Sequence, residues 1–137
     1  YPAGLGATVG SLRAQLAELG REVPVVAKTE FNALGPIEVS RGLVDAGARS
    51  VLVVGMEAHV CVFQTVRALM RRGFHAHVPF DAVASRDPRC RDEALALLRQ
   101  HGASVTTTET AVFDLLGDAK HPEFRALSKQ VRALLDG

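Results

Sequence analysis

The sequence predicts an α/β fold built on a parallel sheet. Apolar, β-branched runs of strand length alternate with amphipathic helical stretches along most of the chain. The links between them are short, with Gly or Pro at the joins. One run, Val51–Val54, is aliphatic at every position. It offers no polar side to water, so it belongs in the middle of a covered parallel sheet.

Taken in order, the chain opens on YPAGLGATVG. Its glycine spacing resembles a dinucleotide loop, but no strand leads into it, so a surface loop is the better reading. Ser11 is placed to cap a short helix with Leu12, Leu16 and Leu19 on one face and Gly20 as its stop. EVPVVAKTEF reads as a strand ending at Lys28. Pro36 opens a helix bearing Ile37, Val39, Leu43 and Val44, with Gly47 near its end. Arg49 to Gly55 is the central strand. A helix from about Cys61 to Arg72 follows, apolar at Val62, Val66, Leu69 and Met70. Arg67, Arg71 and Arg72 fall on its solvated side, and Gly73 closes it.

FHAHVPF is the next strand and reaches a loop at Asp81. Asp87 and Pro88 start a helix as N-cap and first-turn residue, with Leu95, Leu97 and Leu98 buried and Gly102 as the stop. ASVTTT is a short strand. Thr108 caps a helix closed by Gly117, and a last amphipathic helix carries Phe124, Leu127, Val131 and Leu134 along one stripe.

The bulk numbers narrow the function class. A length of 137 residues suits one domain over residues 1–137, and 47% hydrophobic residues are enough for a sizeable core. A net charge of +1 argues against a dedicated nucleic-acid binder, which clusters basic residues on one face. No apolar run approaches the roughly 18 residues of a membrane span, and no leader with a cleavage site is visible. Two cysteines, Cys61 and Cys90, make no disulfide framework, so two free thiols in a reducing, cytoplasmic compartment are expected. The partners expected are a small-molecule substrate and no nucleic acid or membrane.

In parallel sheets the ligand crevice lies outside the carboxyl ends of the strands. Lys28, the Glu57–Cys61 stretch and Asp81 all fall at such ends, so they are placed to converge although distant in sequence. Cys61 sits where strand passes into helix. A helix N-terminus carries about half a positive charge and favours the thiolate, which is the nucleophilic form. Against this stands the ordinary role of a free cysteine as a small buried hydrophobe. Lys28 is either the point where a strand reaches water or a cation that stabilises negative charge near the thiol. His75 and His77 share one strand face and, with His59 and Cys61, invite a metal reading. Their spacing matches no common zinc pattern, so no metal is expected. Asp81 is better read as a cap on the following loop than as the orienter of a base.

These residues resemble the isochorismatase-like cysteine hydrolases. GMEAHVCVFQT is similar to their nucleophile segment, G-x-x-x-x-x-C-V-x-x-T. VVAKTEFNAL is similar to their lysine segment, VPFDAVASR to the next strand and loop, and VTTTETAVFDLLGDAKHPEFRALSKQVR and YPAGLGATV to the isochorismatase-domain-containing branch. The resemblance spans essentially the whole chain. It implies a Rossmann-like three-layer α/β/α fold, a mainly parallel sheet and an Asp–Lys–Cys triad that hydrolyses small amides through a covalent cysteine intermediate. It implies Cys61 as nucleophile and Lys28 as its cationic partner. It also implies a cis peptide at Met56–Glu57 and an oxyanion hole made by the backbone N–H groups of Glu57 and Cys61. Phe31 and His59 are pocket candidates; no cofactor is implied, and self-association into a homo-oligomer is. The sequence departs from the family in one respect. The triad Asp belongs to an N-terminal strand, and no Asp precedes Lys28 here; the first is Asp45. The expectation is the C-terminal three quarters of such a domain, with the first strand missing. The alternative is a non-catalytic α/β module for small-molecule binding or oligomerisation.

Overall fold

In the computed structural model, residues 1–20 and 22–135 are described, the last two by their backbone. The order of elements is α1 (Pro2–Leu5), α2 (Gly10–Glu18), α3 (Ile37–Asp45), β1 (Ser50–Leu52), β2 (Gly55–Met56), a π-helical turn (Ala58–Val62), α4 (Phe63–Arg71), β3 (His75–Pro79), a 3-10 turn (Phe80–Ala82), β4 (Val83–Ala84), α5 (Pro88–Gln100), β5 (Ser104–Thr106), α6 (Thr108–Leu116) and α7 (Phe124–Leu135).

The fold is α/β with parallel pairing throughout. The main sheet has the order β1-β3-β5, with Val51 opposite Ala76 and Val78 opposite Val105. A two-stranded ladder continues beyond it, with Gly55 opposite Val83 and Met56 opposite Ala84. Side chains alternate across a strand, so the sheet has two distinct faces. Val51, Val53, Ala76, Val78 and Val105 point into the main core, which the π-helical turn, α4 and α5 close with Val62, Val66, Leu69, Leu95 and Leu98. The opposite face presents Ser50, Leu52, His77, Ser104 and Thr106 toward α6. Burying each fully enclosed Leu or Val, such as Leu69, Leu98, Val66 and Val78, contributes about 1.5–3 kcal/mol.

The helix boundaries follow local chemistry. The Asp87 carboxylate accepts the Arg89 N–H at 2.9 Å and Pro88 fills the first turn of α5, as the sequence predicts. Gly117 closes α6 in a left-handed conformation at φ 67°. The cap of α6 lies one residue earlier than expected. Thr107, not Thr108, accepts the Thr110 N–H at 3.0 Å. Thr108 instead gives its N–H to Asp81.

Several expectations change. β1 is an edge of the main sheet rather than its middle, and Leu52 and Val54 are 48% and 54% exposed. Residues 22–28 form no strand, and Val25 is 70% exposed. A strand exists by exchanging N–H···O=C bonds with a neighbour; among the described residues no strand pairs with this segment, and Pro24 lacks an N–H. α2 begins at Gly10 with Val9 as N-cap and no side-chain cap, so Ser11 is not its cap. Its leucines are not packed: Leu12 and Leu19 are exposed and Leu16 is half-buried. The expected α7 stripe holds at Phe124 and Leu127, half-buried, and Val131, buried; the Leu134 side chain lies outside the described residues. The chain exposes 9798 Å². Mass scaling gives about 6,900 Å² for a compact monomer of 14.6 kDa. Large apolar side chains left exposed include Leu52 and Val54 at β1 and just after it, Leu12 on α2, and Ile37 and Val44 on α3.

Candidate active site

The site is built where β2 ends. Gly55 stands at φ 109°, a conformation only glycine adopts without strain, and an added Cβ would meet nothing within 4 Å. The requirement is therefore for the backbone angle and not for space. The next peptide, Met56–Glu57, is cis, as the resemblance implied. The Glu57 carbonyl then accepts the N–H groups of Val60 and Val62, both at 3.2 Å, which winds Ala58–Val62 into a π-helical turn. Cys61 is on this turn, half-buried. The sequence placed it on the first turn of an α-helix; the structure places it just before one. Wide π turns inside or before α-helices are frequent at functional sites.

The flanking side chains hold the turn from outside. The Glu57 carboxylate accepts the Arg86 N–H at 3.0 Å. His59 Nδ1 lies 2.9 Å from Ser85 Oγ and 3.6 Å from Glu57 Oε2. Glu57 and His59 therefore tie the Cys61 turn to the 85–87 segment ahead of α5. A concavity of about 520 Å³ opens beside them, lined by His59, Phe63, Asp87, Cys90 and Leu97 among others. Neither Cys61 nor Lys28 lines it. Of the two pocket candidates, His59 therefore borders a recess, while Phe31 lies on the loop after Lys28, 57% exposed.

Lys28 is half-buried, and its Nζ donates to the carbonyls of Glu30 at 2.9 Å and Phe31 at 3.1 Å. The ammonium thus folds its own loop around itself. That loop reaches the Cys61 helix through one hydrogen bond, from the Ala33 N–H to Thr65 Oγ1 at 2.9 Å. Thr65 in turn donates to the Cys61 carbonyl at 2.7 Å. Leu34, 3% exposed, anchors the loop in the core, and Ser40 Oγ donates to the Leu34 carbonyl.

Asp81 does not orient a base. Both its oxygens accept the Thr108 N–H, at 2.8 and 3.1 Å, and one also accepts the Thr108 hydroxyl. It fastens α6 to the turn after β3. His75 is exposed and His77 is half-buried on the far sheet face, away from His59. Among the described residues no three His, Cys, Asp or Glu side chains are grouped to hold a metal. Asp87 is held below the usual carboxylate range by the Arg89 guanidinium and, next, by the Arg89 N–H. The same pairing raises Arg89.

Sequence reasoning named Cys61, Lys28, Glu57 and His59 but gave no role to Thr65, Ser85 or Arg86. Thr65 carried a signal: a lone hydroxyl on the apolar side of a helix must find partners.

A family model described as Isochorismatase domain matches residues 3–110. The chain belongs to this family. It is 40% identical over 134 residues to the secreted isochorismatase effector Isc1 of Phytophthora sojae, covering 96% of this chain and 63% of that protein. It is also 40% identical over 134 residues to isochorismatase domain-containing protein 2 of Bos taurus, covering 96% and 61%. Among solved structures it resembles one described as MAR1 ribonuclease from Caenorhabditis elegans, with TM-score 0.85 and 40% identity over 94% of this chain and 64% of that one. The chain thus spans about three fifths of the length of these relatives. No helix among its described residues is long and apolar enough to cross a membrane.

Proposed function

We propose that this chain carries the nucleophile half of a cysteine hydrolase acting on a small amide-like substrate. The observation that carries the reading is the joint placement of Cys61 and Lys28. Cys61 lies on the turn at the carboxyl end of a parallel strand, and the Lys28 loop is bonded to the helix that starts there. In this reading a carboxylate base takes the Cys61 proton and the thiolate attacks the carbonyl carbon. The N–H groups of Glu57 and Cys61 hold the oxyanion, with Lys28 supplying positive charge nearby. The carboxylate passes its proton to the leaving amine, and water then cleaves the thioester, returning the thiol. The base belongs, in the same reading, to a further strand set against the open edge of β1. The half-exposed Leu52 and Val54 and the excess surface support such a strand. Phe31 and His59 are the proposed wall of the substrate site, and no metal or cofactor enters. The family resemblance also supports a homo-oligomer, and two free cysteines support a reducing, cytoplasmic setting.

A second reading, cleavage of RNA, is favoured by one observation, the description of the C. elegans structure as a ribonuclease. The non-catalytic module remains the third, favoured by the engagement of Lys28 with its own loop carbonyls.

Alkylation by iodoacetamide separates them. Cys61 is expected to react at neutral pH roughly tenfold faster than Cys90 in the same chain, with Cys61→Ser as control. Equal rates would sink the hydrolase reading and leave the binding module. Incubation with a labelled RNA oligonucleotide is the parallel arm: cleavage abolished by Cys61→Ser would move the reading to RNA.

A further inference from the structure

Thr65 is a buried polar residue, 6% exposed, inside an otherwise apolar helix face. A threonine hydroxyl has one proton to give and lone pairs to receive. Here the proton goes to the Cys61 carbonyl at 2.7 Å, and a lone pair receives the Ala33 N–H at 2.9 Å. The two partners belong to the two segments that carry the candidate site residues, and Ala33 lies 32 residues before Thr65. Bonding back to the carbonyl four residues earlier is common for threonine in helices. Receiving a distant loop N–H at the same time is not required by the helix.

The loop has other fastenings. Leu34 packs into the core, Asn32 Oδ1 accepts the Leu34 N–H, and Ser40 holds the Leu34 carbonyl. Leu34 joins the core cluster that holds Val62, Val66 and Leu69, Asn32 folds the loop on itself, and Ser40 Oγ, which also accepts the Arg72 guanidinium at 2.7 Å, ties the far end of the loop to α3. Among the described residues only the Thr65 hydrogen bond joins the 28–36 loop to the helix that follows Cys61. Lys28 is tied to this loop, because its Nζ donates to the carbonyls of residues 30 and 31. A displacement of Ala33 is therefore transmitted to the ammonium.

We infer that Thr65 is a positioning residue: its hydroxyl clamps the Lys28 loop to the Cys61 turn and sets where the ammonium stands relative to the thiol. The functional part of this inference rests on the proposed partnership of Cys61 and Lys28. The clamp itself does not.

Two readouts keep these separate. The first is amide exchange at Ala33, followed in the full chain. Thr65→Val removes the hydroxyl at nearly constant volume, and Ala33 is expected to exchange roughly tenfold faster. Thr65→Ser keeps the hydroxyl and is expected to restore protection. The second is the pH profile of Cys61 alkylation. Thr65→Val is expected to move it in the same direction as Lys28→Ala, and Thr65→Ser to return it. Should Thr65→Val fail to fold, Thr65→Ala against Thr65→Ser makes the same comparison. Unchanged Ala33 protection in a folded hydroxyl-free variant overturns the clamp. Faster Ala33 exchange with an unmoved Cys61 profile, where Lys28→Ala does move it, overturns the positioning role. If Lys28→Ala leaves Cys61 unaffected, the proposed function loses its partner, and faster Ala33 exchange in Thr65→Val still upholds the clamp.

Discussion

At the scale of single residues, several polar side chains in this chain act as ties between segments. Glu57 holds the Arg86 N–H, Asp81 holds Thr108, Thr65 holds Ala33, and Asp87 caps α5 while pairing with Arg89. Asp87 gives a pH prediction. Its carboxyl is held low in the folded chain, first by the Arg89 guanidinium. A group whose folded value lies below its unfolded value stabilises the fold fully above the ordinary carboxylate range, near pH 4, and loses that effect as pH falls through the folded value. Asp87→Asn keeps a capping oxygen and removes the charge. Thermal melts should find it less stable than the parent at pH 7, with the two converging in acid. A gap that stays constant with pH would contradict the assignment.

At the scale of elements, α5 is the best-anchored helix. It has a side-chain N-cap, a first-turn proline, and three buried residues, Ala94, Leu95 and Leu98, against the sheet and α4. Leu98 is fully enclosed. Leu98→Ala removes buried methyl groups and leaves a void that packed neighbours fill only partly, so it should cost about 2–5 kcal/mol in urea unfolding. A loss under about 1 kcal/mol would mean that this core collapses freely. The helices on the other side are different. α2 and α3 contain no buried residue. Leu12 on α2 and Leu19 at its C-cap are exposed, whereas α3 lays Val39 and Leu43, half-buried, against the core and leaves Ile37 and Val44 exposed. α4 is covered more fully. Its stripe at Val66 and Leu69 finds β3, and its start is drawn into a π turn by the Glu57 carbonyl.

At the scale of the whole molecule, the open edge of β1 is the dominant feature. An edge strand presents unpaired N–H and C=O groups and, here, half-exposed Leu52 and Val54. Val51 on the strand and Val53 just after it are partly covered, packed against the core. Such an edge invites pairing with another strand, so the isolated chain should associate as its concentration rises. Light scattering coupled to size exclusion is the check. Leu52→Lys places a charge on the edge and should shift the population toward monomer. A parent chain that stays monomeric at all concentrations would show that the edge is tolerated as it is.

The sequence by itself determined the α/β class, the parallel pairing, most helix boundaries and the two segments that carry Cys61 and Lys28. These are legible because they rest on local rules: periodicity, capping, glycine stops and short motifs. It placed a strand at residues 22–28 and a central position for Val51–Val54, and both depended on neighbours. Apolar composition says that a segment wants cover, and pairing decides whether it gets it. Only the tertiary structure decided that β1 is an edge, that Cys61 stands on a π turn, and that Asp81 serves Thr108. Only it joined Ala33, Thr65 and the Cys61 carbonyl, because a hydrogen bond between segments 32 residues apart is fixed by packing and not by either segment alone.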